Sequence, residues 1–233
     1  MKQGFVKVAS ATPRIRVADP VYNAQVICEQ AKEAAEHGAK IVVFPELCIT
    51  GYTCNDLFLQ ELLLEKAKEA LLTIAEETGQ LETLFLVGLP VDKDGRLYNV
   101  AAVLYRGRIL GMIPKKNIPM YAEFYEGRHF TPGEETVTEY RLGKQVIPFG
   151  SNLLFRCEEL PELILGCELC EDLWVAEPPS TSHALMGATV IANLSASNET
   201  VSKDDYRTLL IKASSARLLC GYIYTSAGEG EST

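Results

Sequence analysis

The stretch IVVFPE, residues 41–46, decides the predicted fold, because four consecutive apolar residues end abruptly in a proline and a glutamate. A short all-apolar run of this kind is typical of a parallel strand that is buried on both faces. Before it, apolar residues recur at helical spacing over residues 21–35, and Gly38 lies where a helix C-terminal cap belongs. After it, residues 62–78 repeat the helical pattern and residues 84–87 form the next apolar run. The pattern predicts alternating strands and helices.

The same alternation continues along the rest of the chain. Further strands are predicted over residues 5–9, 99–105, 108–112, 153–157, 163–167, 189–192 and 222–225, and further helices over residues 178–187 and 204–220. A turn at Arg106-Gly107 predicts a hairpin, and residues 121–141 are predicted to form a structured loop. This succession indicates an α/β layered fold. Since no repeat or linker interrupts it, residues 1–233 are predicted to form one domain.

Composition and charge exclude several classes of protein. The chain has 233 residues, 47% hydrophobic and 23% charged, with a formal net charge of −9, which argues against nucleic-acid or anionic-membrane partners. We find no run of 18 apolar residues and no signal peptide at the N-terminus, so we expect no membrane span. The odd set of seven cysteines is typical of reduced thiols and predicts a cytoplasmic protein.

Three reactive side chains each follow a predicted strand. Glu46 ends the first quoted stretch, Lys115 follows GMIP, and Cys170 follows LGCEL. Because ligands collect at the carboxyl ends of strands in α/β sheets, we expect these three side chains to converge. Taken singly, each has an ordinary interpretation: a turn glutamate, a lysine in a solvated loop, and a small core cysteine.

Cys167 and Cys170 also form a Cys-x-x-Cys pair, which could be redox-active or half of a zinc site. A zinc site needs four ligands, and the sequence has neither a second such pair nor a His-x-x-x-His. A redox pair would not explain why Glu46 and Lys115 also follow predicted strands. We therefore favour a thiol nucleophile over either alternative.

Four segments carry a resemblance to a known family. They are FPELCITGYTCNDLF (residues 44–58), PKKNIPMYAEFYEGRHFTPG (114–133), CEDLWVAEPPSTSHALMGATVIANLSAS (170–197) and SAGEGEST (226–233). The Glu, Lys and Cys motifs occur in the order and approximate spacing of the carbon–nitrogen hydrolase (nitrilase) superfamily. Within it, the segments resemble the N-terminal glutaminase domain of bacterial glutamine-dependent NAD synthetases, along the whole chain.

The resemblance implies a fold and a catalytic triad. The fold would be a four-layer α-β-β-α sandwich that lacks its last strands, since the family has more strands beyond Thr233 and then a synthetase domain. Cys170 would attack the carboxamide carbon, with Glu46 as the general base and acid. Lys115 would stabilise the oxyanion, together with a backbone N–H after Cys170.

The resemblance also implies supporting and substrate-binding residues. Glu123 would position the lysine and the substrate, although it could instead be a loop carboxylate that pairs with Arg128. Tyr121 and Phe124 would line the substrate pocket. Ser197 and Lys203 would contact the amino-acid end of the substrate. Because lysine lacks the bidentate fork of arginine, Arg207 could take the carboxylate contact, or it could be a helix-surface residue.

The implied reaction is hydrolysis of glutamine to glutamate and ammonia, for use by a synthetase domain. The amidase step would need no metal or organic cofactor, and ATP and magnesium would belong to the synthetase domain. The resemblance also implies a homo-oligomer. Two rival hypotheses stay open: a stand-alone amidase that acts on another small carboxamide, and a non-catalytic interaction domain.

Overall fold

The computed structural model describes residues 4–231, which form two β-sheets with helices on their outer faces. The first sheet contains seven strands: β1 (Val8–Ser10), β2 (Ile41–Val43), β3 (Leu84–Lys93), β4 (Arg96–Tyr105), β5 (Arg108–Pro114), β6 (Thr138–Leu142) and β7 (Gln145–Phe149). The second contains four: β8 (Phe155–Arg156), β9 (Ile164–Leu169), β10 (Val190–Ser195) and β11 (Gly221–Ser226). The helices are α1 (Pro20–Glu36), α2 (Glu61–Glu77), α3 (Pro179–Leu185) and α4 (Lys203–Leu218).

The first sheet has the order β1-β2-β3-β4-β5-β7-β6. Strands β1, β2 and β3 are parallel, and β3, β4 and β5 then run antiparallel through two hairpins. Strand β5 therefore points the same way as β2. This places the residues that follow β2 and β5 at the same edge of the sheet, which is where Glu46 and Lys115 lie.

The second sheet has the order β11-β10-β9-β8, and β9, β10 and β11 are parallel. It packs face to face on the first sheet through a core that includes Val43 and Val103 on one side and Leu169 and Leu194 on the other. Both faces of each central strand are therefore buried, which explains the all-apolar runs in the sequence.

The helices complete four layers. Helices α1 and α2 cover the outer face of the first sheet through a core that contains Ile27, Leu71 and Phe85. Helices α3 and α4 cover the second sheet, where Ile191 and Cys220 are buried. The predicted α-β-β-α sandwich is confirmed, whereas the expectation of further strands beyond the chain stays a prediction.

Most predicted elements are present, with two differences. A second hairpin joins β3 to β4 through a turn at Asp94-Gly95, where both residues have positive φ. The predicted loop over residues 121–141 contains a short 3-10 turn, Glu126–Arg128, and the start of the hairpin β6–β7. Buried and exposed side chains alternate in β6 and β7, but each strand has only five residues, and Pro148 inside β7 argues against a strand when only the sequence is considered.

Two further features concern the helices and the cysteines. Within residues 4–231, no helix combines the length and apolar character needed to cross a bilayer. All seven cysteines are free thiols, and six of them are buried.

Candidate active site

Glu46 lies in a turn that follows β2 and is completely buried. Its Oε1 accepts hydrogen bonds from Asn99 Nδ2 and Lys115 Nζ, both at 2.7 Å, and its Oε2 accepts one from the Ala196 N–H at 2.9 Å. Gly88 on β3 makes this position possible, because a Cβ there would lie 2.3 Å from the Leu47 nitrogen. The Glu46 carboxylate is thus fixed by contacts from both sheets.

Lys115 follows β5 directly, and its side chain is also completely buried. Its Nζ contacts two carboxylates: Glu46 Oε1 at 2.7 Å and Glu126 Oε1 at 2.5 Å. The neighbouring Lys116 is part-exposed and pairs with Glu135 at the surface. The structure therefore brings Lys115, and not Lys116, to Glu46.

Glu126 is a second carboxylate beside Lys115, and the sequence analysis did not predict it. It is 4% exposed, and its carboxylate accepts hydrogen bonds from Tyr52 Oη at 2.8 Å and Asn99 Nδ2 at 3.2 Å as well as from Lys115. The expectation that Glu123 contacts the lysine is wrong: Glu123 is exposed and hydrogen-bonds to Asn198. The 3-10 turn that begins at Glu126 carries this glutamate inward, and chain spacing alone does not reveal that turn.

The alternative for Glu123 is also wrong. Arg128 pairs with Asp56, through its Nε at 2.7 Å, and not with Glu123. No signal in the sequence separates the two glutamates, because both lie between aromatic residues, Glu123 in YAEFY and Glu126 in FYEGRHF.

Cys170 follows β9 and begins a 3-10 turn, Cys170–Leu173. It is 5% exposed and has φ of 40°, a left-handed conformation that is uncommon for a residue with a Cβ and is enriched at functional sites. Asp172 fixes the turn, since it accepts hydrogen bonds from the Leu169 N–H at 3.0 Å and from the Asn117 N–H at 2.8 Å. The same carboxylate thus ties the Cys170 turn to the loop after Lys115.

Burial and charge shift the pKa values of this strand-end cluster, by which we mean Glu46, Lys115, Glu126 and Cys170. Burial raises the pKa of Glu46 to about 7, opposed by the charge of Lys115 and reinforced by Glu126. Burial alone would lower the pKa of Lys115, but the two carboxylates outweigh it, so its pKa is raised and it stays charged. Burial and the Glu46 charge raise the pKa of Cys170, while Lys115 opposes that shift.

This arrangement can transfer a proton from a thiol to a carboxylate. The raised pKa of Cys170 means that its resting form is the thiol, which is a poor nucleophile until a base removes its proton. A carboxylate with a pKa of about 7 is suited to accept and return a proton near neutral pH. Lys115 supplies a buried positive charge beside both groups.

The raised pKa of Glu46 predicts a pH-dependent stability. An unfolded glutamate has a pKa of about 4.3, so between there and about 7 the folded state binds more protons than the unfolded state. The contribution of Glu46 to stability is therefore present at low pH and is lost as pH rises through 7. We expect Glu46→Gln to remove this loss, on the order of 3 kcal/mol between about pH 4 and pH 8.

Urea unfolding of the wild type and Glu46→Gln at a series of pH values measures this effect. Between about pH 4 and pH 8, the free energy of unfolding of Glu46→Gln should rise relative to that of the wild type as pH rises. Parallel pH profiles for the two proteins would contradict the raised pKa.

Three of the predicted substrate-binding residues lie together beside the cluster. Phe124 is buried and packs edge-on against Tyr121, with ring centroids 5.6 Å apart, and Lys203 Nζ lies 5.8 Å from the Phe124 ring. Lys203 also lies 5.1 Å from the ring of Trp174, which the sequence analysis missed. The Tyr121 hydroxyl donates to Glu171 Oε2 at 2.8 Å. These side chains form an aromatic rim with one cation.

The other two predicted binding residues differ in their setting. Ser197 is part-buried, and its N–H donates to Ser226 Oγ at 3.2 Å. Arg207 is 8% exposed, so the interpretation of it as a helix-surface residue is wrong. Its guanidinium pairs with Glu199 at 2.6 Å and Asp204 at 2.8 Å, which neutralises the charge that was expected to bind a substrate carboxylate.

A metal centre has no support in the part of the chain that the structure describes. There, no three histidine, cysteine, aspartate or glutamate side chains are grouped so that they could bind an ion. Cys167 is buried in the core between the two sheets, whereas Cys170 lies in the turn beyond β9.

The family profile described as Carbon-nitrogen hydrolase matches residues 7–226. The chain belongs to the carbon-nitrogen hydrolase family. This confirms the resemblance seen in the four motifs and assigns the chain to a family of enzymes that act on carbon–nitrogen bonds.

Curated relatives refine the similarity within the carbon-nitrogen hydrolases. The glutamine-dependent NAD(+) synthetase of Mycobacterium tuberculosis (strain ATCC 25618 / H37Rv) is 43% identical over 232 residues, which cover 100% of this chain and 34% of that protein. The synthetase of Thermotoga maritima is 33% identical over 99% of this chain and 37% of its own length. The chain thus spans about a third of the length of these relatives.

Solved structures of carbon-nitrogen hydrolases show the same fold. The glutamine-dependent NAD(+) synthetase of Cytophaga hutchinsonii superposes with a TM-score of 0.85 at 28% identity, over 96% of this chain and 36% of that one. An amidase from Nesterenkonia sp. has a TM-score of 0.72 at 20% identity, over 99% of this chain and 80% of its own. The second likeness shows the fold alone.

Proposed function

We propose that this carbon-nitrogen hydrolase hydrolyses the side-chain amide of glutamine through a thioester on Cys170. In this proposal, residues 1–233 are the glutaminase domain of a glutamine-dependent NAD synthetase. The observation that carries the proposal is the buried contact of one ammonium, Lys115, with two carboxylates beside a thiol. The relatives that match the chain over its whole length bear the synthetase name.

In the first half of the proposed reaction, Glu46 accepts the proton of the Cys170 thiol while the sulfur attacks the amide carbon. The carbonyl oxygen becomes an oxyanion, which Lys115 stabilises by its charge together with a backbone N–H after Cys170. Glu46 returns the proton to the leaving nitrogen, so ammonia departs and a thioester stays on the sulfur. Glu126 and Tyr52 act through Lys115. Glu126 accepts a hydrogen bond from Lys115, and the Tyr52 hydroxyl donates one to Glu126.

In the second half, Glu46 removes a proton from a water molecule, which attacks the thioester carbon. The oxyanion forms again beside Lys115, the carbon–sulfur bond breaks, and the thiolate regains its proton. The products are glutamate and the ammonia released earlier. Side chains, one backbone N–H and a water molecule account for every proposed step, so we propose no cofactor for the amidase reaction.

We propose that the rim binds the amino-acid end of glutamine, with Lys203 facing its carboxylate and Tyr121 and Phe124 lining the aliphatic part. The support is their packing together beside Glu126. We propose that Ser197, six residues before Lys203 in the chain, contacts the same end of glutamine. The geometry favours Lys203 over Arg207, because Arg207 already has two carboxylate partners.

The proposed partner is a synthetase domain that consumes the ammonia, because the relatives are about three times as long as this chain. ATP and magnesium would serve that domain. We also propose a cytoplasmic location, on the ground that all seven cysteines are free thiols.

We further propose that the chain forms homo-oligomers through the outer face of α3 and α4. Five large apolar side chains are exposed on these helices or directly after them: Leu185, Met186, Tyr206, Leu209 and Leu219. Exposed apolar patches of this kind mark interaction surfaces. Light scattering should give a mass above that of one chain, and Leu209→Glu should lower it.

The test of function is ammonia release from L-glutamine and a panel of small carboxamides. Release from glutamine in preference to the panel would support the proposal. Release from another amide alone would favour the stand-alone amidase. If no amide reacts, even after addition of a synthetase domain, the proposal is wrong and a non-catalytic domain is favoured.

A further inference from the structure

Glu231, in the segment after β11, binds the loop that follows the Glu46 turn. Its Oε1 accepts a hydrogen bond from the Tyr52 N–H at 2.6 Å, and its Oε2 accepts from the Thr53 N–H at 3.3 Å and Thr53 Oγ1 at 2.9 Å. These two N–H groups are the first of the 3-10 segment Tyr52–Leu59, which starts after Gly51 and has no side-chain cap of its own there. Glu231 therefore caps the segment from a distant part of the chain.

Two glycines permit this contact. Gly230 has φ of 104°, and a Cβ at this position would lie 2.1 Å from the Ile15 carbonyl oxygen. Gly51 has φ of 87°, and a Cβ there would lie 3.3 Å from Glu231 Oε1. The chain around Ile15 thus packs closely against both Gly51 and Gly230, and these contacts leave no room for a Cβ at Gly230. The Gly-Glu-Gly-Glu stretch that the sequence analysis singled out is explained by this packing.

Tyr52, the first residue of the capped segment, contacts the strand-end cluster through its side chain. The Tyr52 hydroxyl donates to Glu126 Oε1 at 2.8 Å, and the same oxygen accepts from Lys115 Nζ at 2.5 Å. Burial raises the pKa of Tyr52, so the hydroxyl keeps the proton that it donates. The Tyr52 ring also packs edge-on against Phe124, with centroids 6.3 Å apart. Tyr52 therefore links Glu231, which binds its backbone N–H, to Glu126, which binds its hydroxyl. Glu126 in turn binds Lys115.

We propose that Glu231 is a positioning residue, which fixes the Tyr52 hydroxyl on Glu126 and thereby the ammonium of Lys115. Without its carboxylate, two backbone N–H groups lose their acceptor and the start of the segment is free to shift. The Tyr52 hydroxyl then leaves Glu126, and Lys115 is fixed by fewer contacts. Because the oxyanion forms only in the transition state, the loss should appear in kcat and not in KM. For its turnover readout, the proposal rests on the proposed function.

The test compares Glu231→Ala, Tyr52→Phe and the double variant with Glu229→Ala as the matched control. Glu229 lies two residues away, and its carboxylate pairs only with the exposed Arg14 in the described part of the chain. We expect Glu231→Ala and Tyr52→Phe each to lower kcat for ammonia release about ten-fold with KM changed less than about two-fold. The double variant should lose no more than the larger single effect, since both changes remove one interaction. Glu229→Ala should match the wild type.

A second readout does not depend on glutamine. Lys115 lowers the pKa of Cys170, so a displaced ammonium should slow thiolate alkylation. The rate at which iodoacetamide modifies the Cys170 peptide, followed by mass spectrometry at neutral pH, should fall about five-fold in Glu231→Ala and in Tyr52→Phe alike. If the wild type releases no ammonia even after addition of a synthetase domain, the proposed function fails, while this comparison still decides the role of Glu231.

Three results would overturn the positioning role. The first is an unchanged alkylation rate in Glu231→Ala with its fold confirmed by thermal unfolding. The second is a double variant whose losses multiply, which would mean that Glu231 and Tyr52 act independently. The third is an equal loss in Glu229→Ala, which would mean that the segment matters only for folding.

Discussion

Replacing Cys170 by alanine should lower kcat for ammonia release from glutamine by at least about 10⁴-fold, the scale on which loss of a nucleophile acts in hydrolases with a covalent intermediate. The physical reason is that the remaining cluster can polarise the amide but has no atom to form the thioester. The free energy of unfolding should change by less than about 1 kcal/mol, since the side chain is small and the turn is fixed by Asp172.

The matched control is Cys157→Ala, which removes a half-buried thiol outside the strand-end cluster. It should retain the wild-type kcat. Mass spectrometry of the protein incubated with substrate and quenched in acid should detect an acyl adduct on wild type but not on Cys170→Ala. Substantial turnover by the alanine variant would rule out the thioester mechanism.

Replacing Lys115 by methionine should impair both catalysis and stability. Removal of an oxyanion donor costs about 10²–10³-fold in kcat, and we expect a loss at the upper end because the charge is also lost. The variant leaves Glu46 and Glu126 buried without their shared ammonium. Breaking a buried ion pair in this way costs about 3–5 kcal/mol, which urea unfolding at pH 8 should measure.

The neighbouring lysine is the control for this experiment. Lys116→Met breaks a surface pair with Glu135, which is worth at most about 1 kcal/mol, and kcat should be unchanged. The cost of Lys115→Met should also shrink as pH falls, because the pKa of Glu46 rises further without the ammonium and protonation removes its buried charge. Equal destabilisation by the two substitutions would contradict the buried cluster.

Periodicity and strand ends were enough to predict much of the fold and part of the site. The all-apolar run before Glu46 and the apolar run over residues 163–167 before Cys170 predicted buried strands, and the carboxyl ends of such strands meet at one edge. The structure does bring Glu46 and Lys115 into contact there. Their predicted catalytic roles stay predictions until the variants are measured.

The residues that sequence reasoning missed are fixed by tertiary contacts. Asn99 lies in the middle of a strand and contacts two glutamates that are 53 and 27 residues away. Glu126 and Glu123 lie in one loop without apolar periodicity, so only the 3-10 turn decides which of them is buried. The predicted loop over residues 121–141 takes in most of β6, and no element is predicted over β7, because each strand has only five residues and Pro148 argues against a strand in β7.

The two glutamates beside Lys115 also bear on how the acid product leaves. The carboxamide group of the proposed substrate is uncharged, so its approach to Lys115 requires no ionic desolvation. Hydrolysis turns it into a carboxylate, which must compete with Glu46 and Glu126 for a single ammonium. Like charges repel strongly in a buried site. On the proposed function, the pair of carboxylates that keeps Lys115 charged should repel the carboxylate of the product, and we expect inhibition by glutamate to be weak.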